Sequence, residues 1–110
     1  MNLTVTEDGV RSDLTLDQPV VTLGRALDND IRLESKLVSR HHSRIEERSG
    51  EAWVIDLGSA NGLTVNGDKV TRRLLEPGDI IEMGGVRIEL IPNPVLYSLR
   101  WSPLVPSQRT

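Results

Sequence analysis

Cysteine is absent from the 110 residues, so they can build no disulfide, no thiol nucleophile and no thiolate metal site. Aromatic residues are nearly as scarce at 3% of the chain, and between residues 1 and 91 Trp53 stands alone. Basic charge is short as well. All 16 acidic residues lie between Glu7 and Glu89 against 11 of the 13 basic ones, which leaves that stretch five charges negative within a chain of net charge −3. Such a surface offers neither the basic face nor the stacking platform of a nucleic-acid binder, and no nucleic-acid partner is expected. No apolar run exceeds four residues, so no segment here crosses a bilayer as a helix. The start at Met1 lacks the charged and apolar regions of a secretory signal. A cytoplasmic protein without membrane insertion is the expectation.

Helical periodicity is also missing. Apolar residues do not recur at i, i+3, i+4 and i+7 over any window of helical length. Instead, ten short segments alternate apolar and polar residues: 3–6, 13–16, 20–23, 31–33, 43–47, 53–57, 63–65, 69–71, 80–83 and 86–91. Turn-forming clusters separate them, among them Glu7-Asp8-Gly9, Ser49-Gly50, Asn61-Gly62 and Pro77-Gly78-Asp79. Asn66-Gly67 and Gly84-Gly85 fit two-residue hairpin turns, which require positive φ. The pattern predicts an all-β fold, an antiparallel β-sandwich of about ten to eleven short strands, in preference to a barrel. This domain is expected over residues 1–91. Beyond Ile91 four of the six prolines gather while glycine and acids vanish, which marks 92–110 as a Pro-rich tail or linker.

The chemistry-bearing residues concentrate in LVSRHHSRI, Leu37 to Ile45. A hydrolase would need Ser39 or Ser43 oriented by His41 or His42, yet adjacent residues on a strand diverge and no nucleophile elbow is present. Two neighbouring histidines without a third, and without H-x-H or H-E-x-x-H spacing, do not make a metal site. Neither a catalytic residue, a metal nor a cofactor is therefore expected. Anion binding remains open. It requires a bidentate donor, a hydroxyl and main-chain N–H groups presented by loops at one end of a sandwich, and the chain has Gly24-Arg25, Ser39-Arg40 and Ser59-Ala60-Asn61-Gly62 at strand edges.

The ordered set Gly24-Arg25, Asn29, Ile31, Ser39-Arg40-x-His42, Trp53, Asp56, Ser59-x-Asn61-Gly62, Val65-Asn66-Gly67, Leu75, Pro77-Gly78-Asp79 and Gly84 resembles the forkhead-associated (FHA) domain. The resemblance implies a sandwich of the FHA/SMAD type that binds phosphothreonine in an extended peptide. It assigns Arg25 and Ser39 to the phosphate, with a further contact from Arg40, and Asn61 to the peptide main chain. His42 and Asn66 would brace the loops, and Gly24, Gly62 and Gly67 would set backbone conformation. Ala60 stands where many members carry a phosphate-binding threonine, and Leu63 where N-G-T is usual. The implied partner is a phosphothreonine-containing protein or peptide, the substrate of a Ser/Thr kinase, met in signalling. The alternative is a scaffold sandwich that binds its partner without phosphate.

Overall fold

The computed structural model describes residues 1–91 of the chain. Among them lie eleven strands: β1 (Asn2–Glu7), β2 (Val10–Thr15), β3 (Val20–Gly24), β4 (Ile31–Arg32), β5 (Ser43–Arg48), β6 (Glu51–Asp56), β7 (Leu63–Val65), β8 (Asp68–Val70), β9 (Arg72–Leu75), β10 (Ile80–Met83) and β11 (Val86–Ile91). One sheet has the order β2-β1-β11-β10-β7-β8 and the other β4-β3-β5-β6-β9. Alternation along each strand turns one set of side chains inward. Leu23, Ile45 and Val54 from the five-stranded sheet meet Val65, Ile81 and Ile88 from the six-stranded one in a single core. All six are 0% exposed, and burying each contributes roughly 1.5–3 kcal/mol. The predicted tail, 92–110, lies outside the described residues.

Both anticipated hairpins form. Asn66 and Gly67 (φ 52° and 87°) join β7 to β8, and Gly84 and Gly85 (φ 56° and 81°) join β10 to β11. Two features differ from the sequence expectation. β9 falls on no alternating segment, because two arginines followed by two leucines have no period of two. It is held instead by its pairing with β6, and the Arg72 guanidinium lies 4.7 Å from the centre of the Trp53 ring. The second difference is that β3 and β4 run parallel, pairing Leu23 with Ile31 and Gly24 with Arg32. Parallel neighbours usually need a long crossover; here the connection is residues 25–30 alone, and β4 stops after two residues.

The register of β3, β5 and β6 decides where function can sit. Leu23 pairs with Ser43, and Ser43 with Asp56. Because these strands are antiparallel, the exit of β3, the entry of β5 and the exit of β6 fall at one end of the sheet. The loops 25–30, 33–42 and 57–62 therefore emerge side by side.

Candidate functional site

Main-chain hydrogen bonds lock the first two loops together. Arg25 N–H donates to Ser39 O at 3.0 Å, Ala26 N–H to Arg40 O at 3.0 Å and Leu33 N–H to Gly24 O at 2.8 Å. Such close approach is the reason for glycine at position 24: a Cβ there would lie 2.2 Å from Arg40 O and 2.9 Å from Asn29 Nδ2. Asn29 adds a side-chain tie, its Nδ2 donating to both Ala26 O and Arg40 O at 2.8 Å. The third loop is folded on itself by Asp56, which accepts the N–H groups of Gly58 and Ser59, each at 3.1 Å, and the Ser59 hydroxyl. Ser59 Oγ in turn accepts Gly62 N–H at 2.9 Å.

His42 joins the second loop to the third from beneath. It is 0% exposed; Nδ1 accepts Ser39 N–H at 2.9 Å, so Nε2 carries the proton and donates to Gly62 O at 2.8 Å. Both ring nitrogens are engaged by main-chain groups, and neither is directed at the Ser39 hydroxyl. The ring fixes the height of Ser39 and Gly62 through these two main-chain bonds.

On this frame four of the sequence-assigned residues converge. Arg25 is half-buried and donates Nε–H to Val38 O at 3.0 Å, which orients the guanidinium and leaves its two NH2 groups uncommitted. Ser39 Oγ accepts Ala60 N–H at 3.0 Å, so the hydroxyl proton is free to donate outward. Position 60 thus contributes through its main chain, while its exposed methyl offers no donor. Asn61 donates Nδ2–H to Leu37 O at 2.8 Å and keeps its carbonyl oxygen and second N–H available. The Arg40 side chain is exposed beside them, its carbonyl held by Ala26 and Asn29.

Asn66 and Gly67 are not part of this cluster. They lie at the opposite end of β7, where Asn66 Nδ2 donates to Asp79 Oδ1 and its Oδ1 accepts Ile80 N–H, both at 2.9 Å. Their bracing acts on the turn 76–80. Leu63 is 2% exposed and packs in the core, so that departure from the family pattern bears on packing. The family resemblance included Asn29, Asp56 and Ser59 without assigning any of them an individual role; here Asn29 ties the first two loops together, and Asp56 and Ser59 hold the third. His41, also without a role, faces Asp28 across the first two loops at 2.9 Å. That imidazole holds the Asp28 carboxyl below its usual range, and the hydrogen bond from Thr22 N–H does the same for Asp30.

The described residues thus carry a two-sheet sandwich with a donor-rich loop end, and a family model for the FHA domain matches residues 21–84. The chain belongs to the FHA domain family. Its relatives include the glycogen accumulation regulator GarA of Mycolicibacterium smegmatis, 39% identical over 83 residues, covering 76% of this chain and 52% of GarA. An oxoglutarate dehydrogenase inhibitor of Corynebacterium efficiens is 39% identical over 79 residues, covering 72% and 56%. The chain therefore spans about half the length of these curated relatives. Among solved structures, one from work on phosphothreonine-dependent FHA domain interactions superposes with a TM-score of 0.76 at 33% identity, covering 86% of this chain and 99% of that one. The FHA domain of FhaA, complexed with the intracellular domain of Rv3910, superposes at 0.71 and 34% identity, covering 79% and 97%. Among the described residues no helix is long and apolar enough to cross a membrane, and no group of three His, Cys, Asp or Glu side chains is placed to hold a metal ion.

Proposed function

We propose that this FHA domain recognises phosphothreonine in an extended peptide and so couples a Ser/Thr kinase substrate to a regulatory partner, without catalysis of its own. The observation that carries the reading is the convergence of the Arg25 guanidinium, the Ser39 hydroxyl and the Asn61 amide on one exposed loop end, each with a main-chain hydrogen bond fixing it and donors to spare. Arg25 would take two phosphate oxygens in a planar fork, Ser39 would donate to a third, and Arg40 would add charge. Asn61 would hold the peptide main chain through the amide groups it does not spend on Leu37.

The energetics agree. A hydrogen bond to a charged group contributes about 1.5–3 kcal/mol, and a micromolar complex needs about 8 kcal/mol, which three or four phosphate contacts plus main-chain bonding supply. Preference for threonine over serine rests on family membership. A cytoplasmic setting fits this reading, since the FhaA FHA domain meets an intracellular domain. Leu27 and Leu37, 83% and 60% exposed on the same loops, favour the second reading of a phosphate-independent scaffold contact.

The immobilised domain, screened with a degenerate phosphothreonine peptide library, tests the proposal. Retention of the library and its loss after phosphatase treatment are expected. Equal retention of the treated library would replace phosphate recognition with the scaffold reading.

A further inference from the structure

Beside the loop 57–62 opens a cleft of about 540 Å³ whose walls include Asp56, Ser59, Ala60, Gly62, Lys69 and Arg72. One flank is the loop carrying Ala60, whose N–H holds Ser39 Oγ; the other is β8 and the start of β9. Lys69 lies against the loop itself. A Cβ on Gly62 would stand 2.8 Å from Lys69 Cε and 3.5 Å from Nζ, and glycine with φ 72° at that position admits the lysine.

The charges of this cleft are unevenly spent. Asp56 commits both carboxylate oxygens to Gly58 and Ser59. Asp68 and Glu82, the acids nearest in sequence or sharing a surface with Lys69, face Arg73 and Arg87, each at 3.8 Å. Among the described residues no carboxylate lies within ion-pair distance of Lys69 or of Arg72. Arg72 lies over the Trp53 ring, its Cζ 4.7 Å from the centroid, and its N–H donors carry no side-chain hydrogen bond among the described residues. In a body five charges negative, two uncommitted cations thus share one cleft adjoining the candidate phosphate site.

We propose that this cleft is a second anion subsite, in which Lys69 and Arg72 receive an acidic side chain carried by the same peptide close to its phosphothreonine. The inference rests on the phosphothreonine reading and deepens it: the preferred ligand is a phosphothreonine peptide with a neighbouring aspartate, glutamate or second phosphoryl group. Lys69 is reached by no motif of the sequence, since a lone lysine between Asp68 and Val70 looks like an ordinary solvated strand edge.

The test uses phosphothreonine peptides differing by aspartate against alanine at each flanking position, titrated calorimetrically into the wild-type chain and into Lys69→Glu, with melting curves confirming that the variant folds. An aspartate at one or more positions is expected to tighten binding by about 2- to 5-fold per cation engaged. That advantage should shrink as salt rises and reverse in Lys69→Glu. A phosphoserine at the same position that tightens binding further, with the same dependence on Lys69, would support the subsite and mark phosphate as its better anion. No position at which aspartate outperforms alanine, or an advantage untouched by Lys69→Glu, overturns the proposal. Each peptide's unphosphorylated twin separates the two claims: if it binds equally, the phosphothreonine reading fails instead.

Discussion

Under the proposed reading, Arg25 divides its guanidinium between structure and ligand. Nε is bound to Val38 O at 3.0 Å, which leaves the two NH2 groups uncommitted. Arg25→Ala should therefore weaken phosphopeptide binding by roughly 100-fold, the loss of two charge-assisted bonds of about 1.5 kcal/mol each. The melting temperature should drop by no more than about 8 °C, the share owed to one ordinary hydrogen bond in a domain of this size. Arg25→Lys keeps the charge and loses both the fork and the Nε tether, so it should recover only part of the affinity. Calorimetry with paired melting curves reads all three quantities; collapse of the fold in Arg25→Ala would make the residue structural. At position 60 the sign is opposite. Ala60→Thr restores a hydroxyl beside Ser39 without disturbing the main-chain N–H that Ser39 accepts, and should tighten binding by about 0.5–1.5 kcal/mol. Unchanged or weaker binding would show that this hydroxyl cannot reach the phosphate.

At the scale of the elements, two glycines separate site from scaffold. Gly24→Ala drives a Cβ to 2.2 Å from Arg40 O, so the loops 25–30 and 33–42 must part. The expected cost is about 1–3 kcal/mol of stability together with loss of phosphopeptide binding. Gly67→Ala meets no atom within 4 Å but sits at φ 87°, at the opposite end of β7 from the loop cluster. It should cost about 1–2 kcal/mol of stability and leave affinity intact, as paired denaturation and titration curves would show. The loops also carry a pH signature. Asp28 and Asp30 have folded-state pKa values lowered by His41 and by Thr22 N–H. Their contribution to stability is fully present above the ordinary value of 3.8 and is lost as pH falls through the lower, folded one. Carboxyl resonances followed by NMR should titrate below 3.8 at both positions; a value at or above it at either contradicts the geometry. Period-two alternation made the strands and hairpins legible, because it states which face of a strand is buried. It is silent on register between strands, which is why the shared end of β3, β5 and β6 and the parallel pairing of β4 had to come from the structure. β9 was illegible for another reason: Arg72 and Arg73 are placed by pairing with Ile55 and Val54, which no local pattern records. The same limit separates Asn61 from Asn66. Both head an Asn-Gly pair, but the topology sends one to the loop cluster and the other to the turn 76–80.

For the molecule as a whole, charge and shape point the same way. The sandwich is acidic, yet Arg25, Arg40 and the cleft cations Lys69 and Arg72 gather at or beside one end, so an anionic ligand is attracted locally and repelled elsewhere. Contacts of this kind weaken with salt, and phosphopeptide affinity should fall as ionic strength rises beyond the physiological range. Whether the loop end reads the phosphoryl group itself is measured by a calorimetric titration of the chain with one peptide in two forms, phosphorylated on threonine and unmodified. Saturable binding of the first and none of the second is the predicted result; equal affinities for the two forms would contradict it.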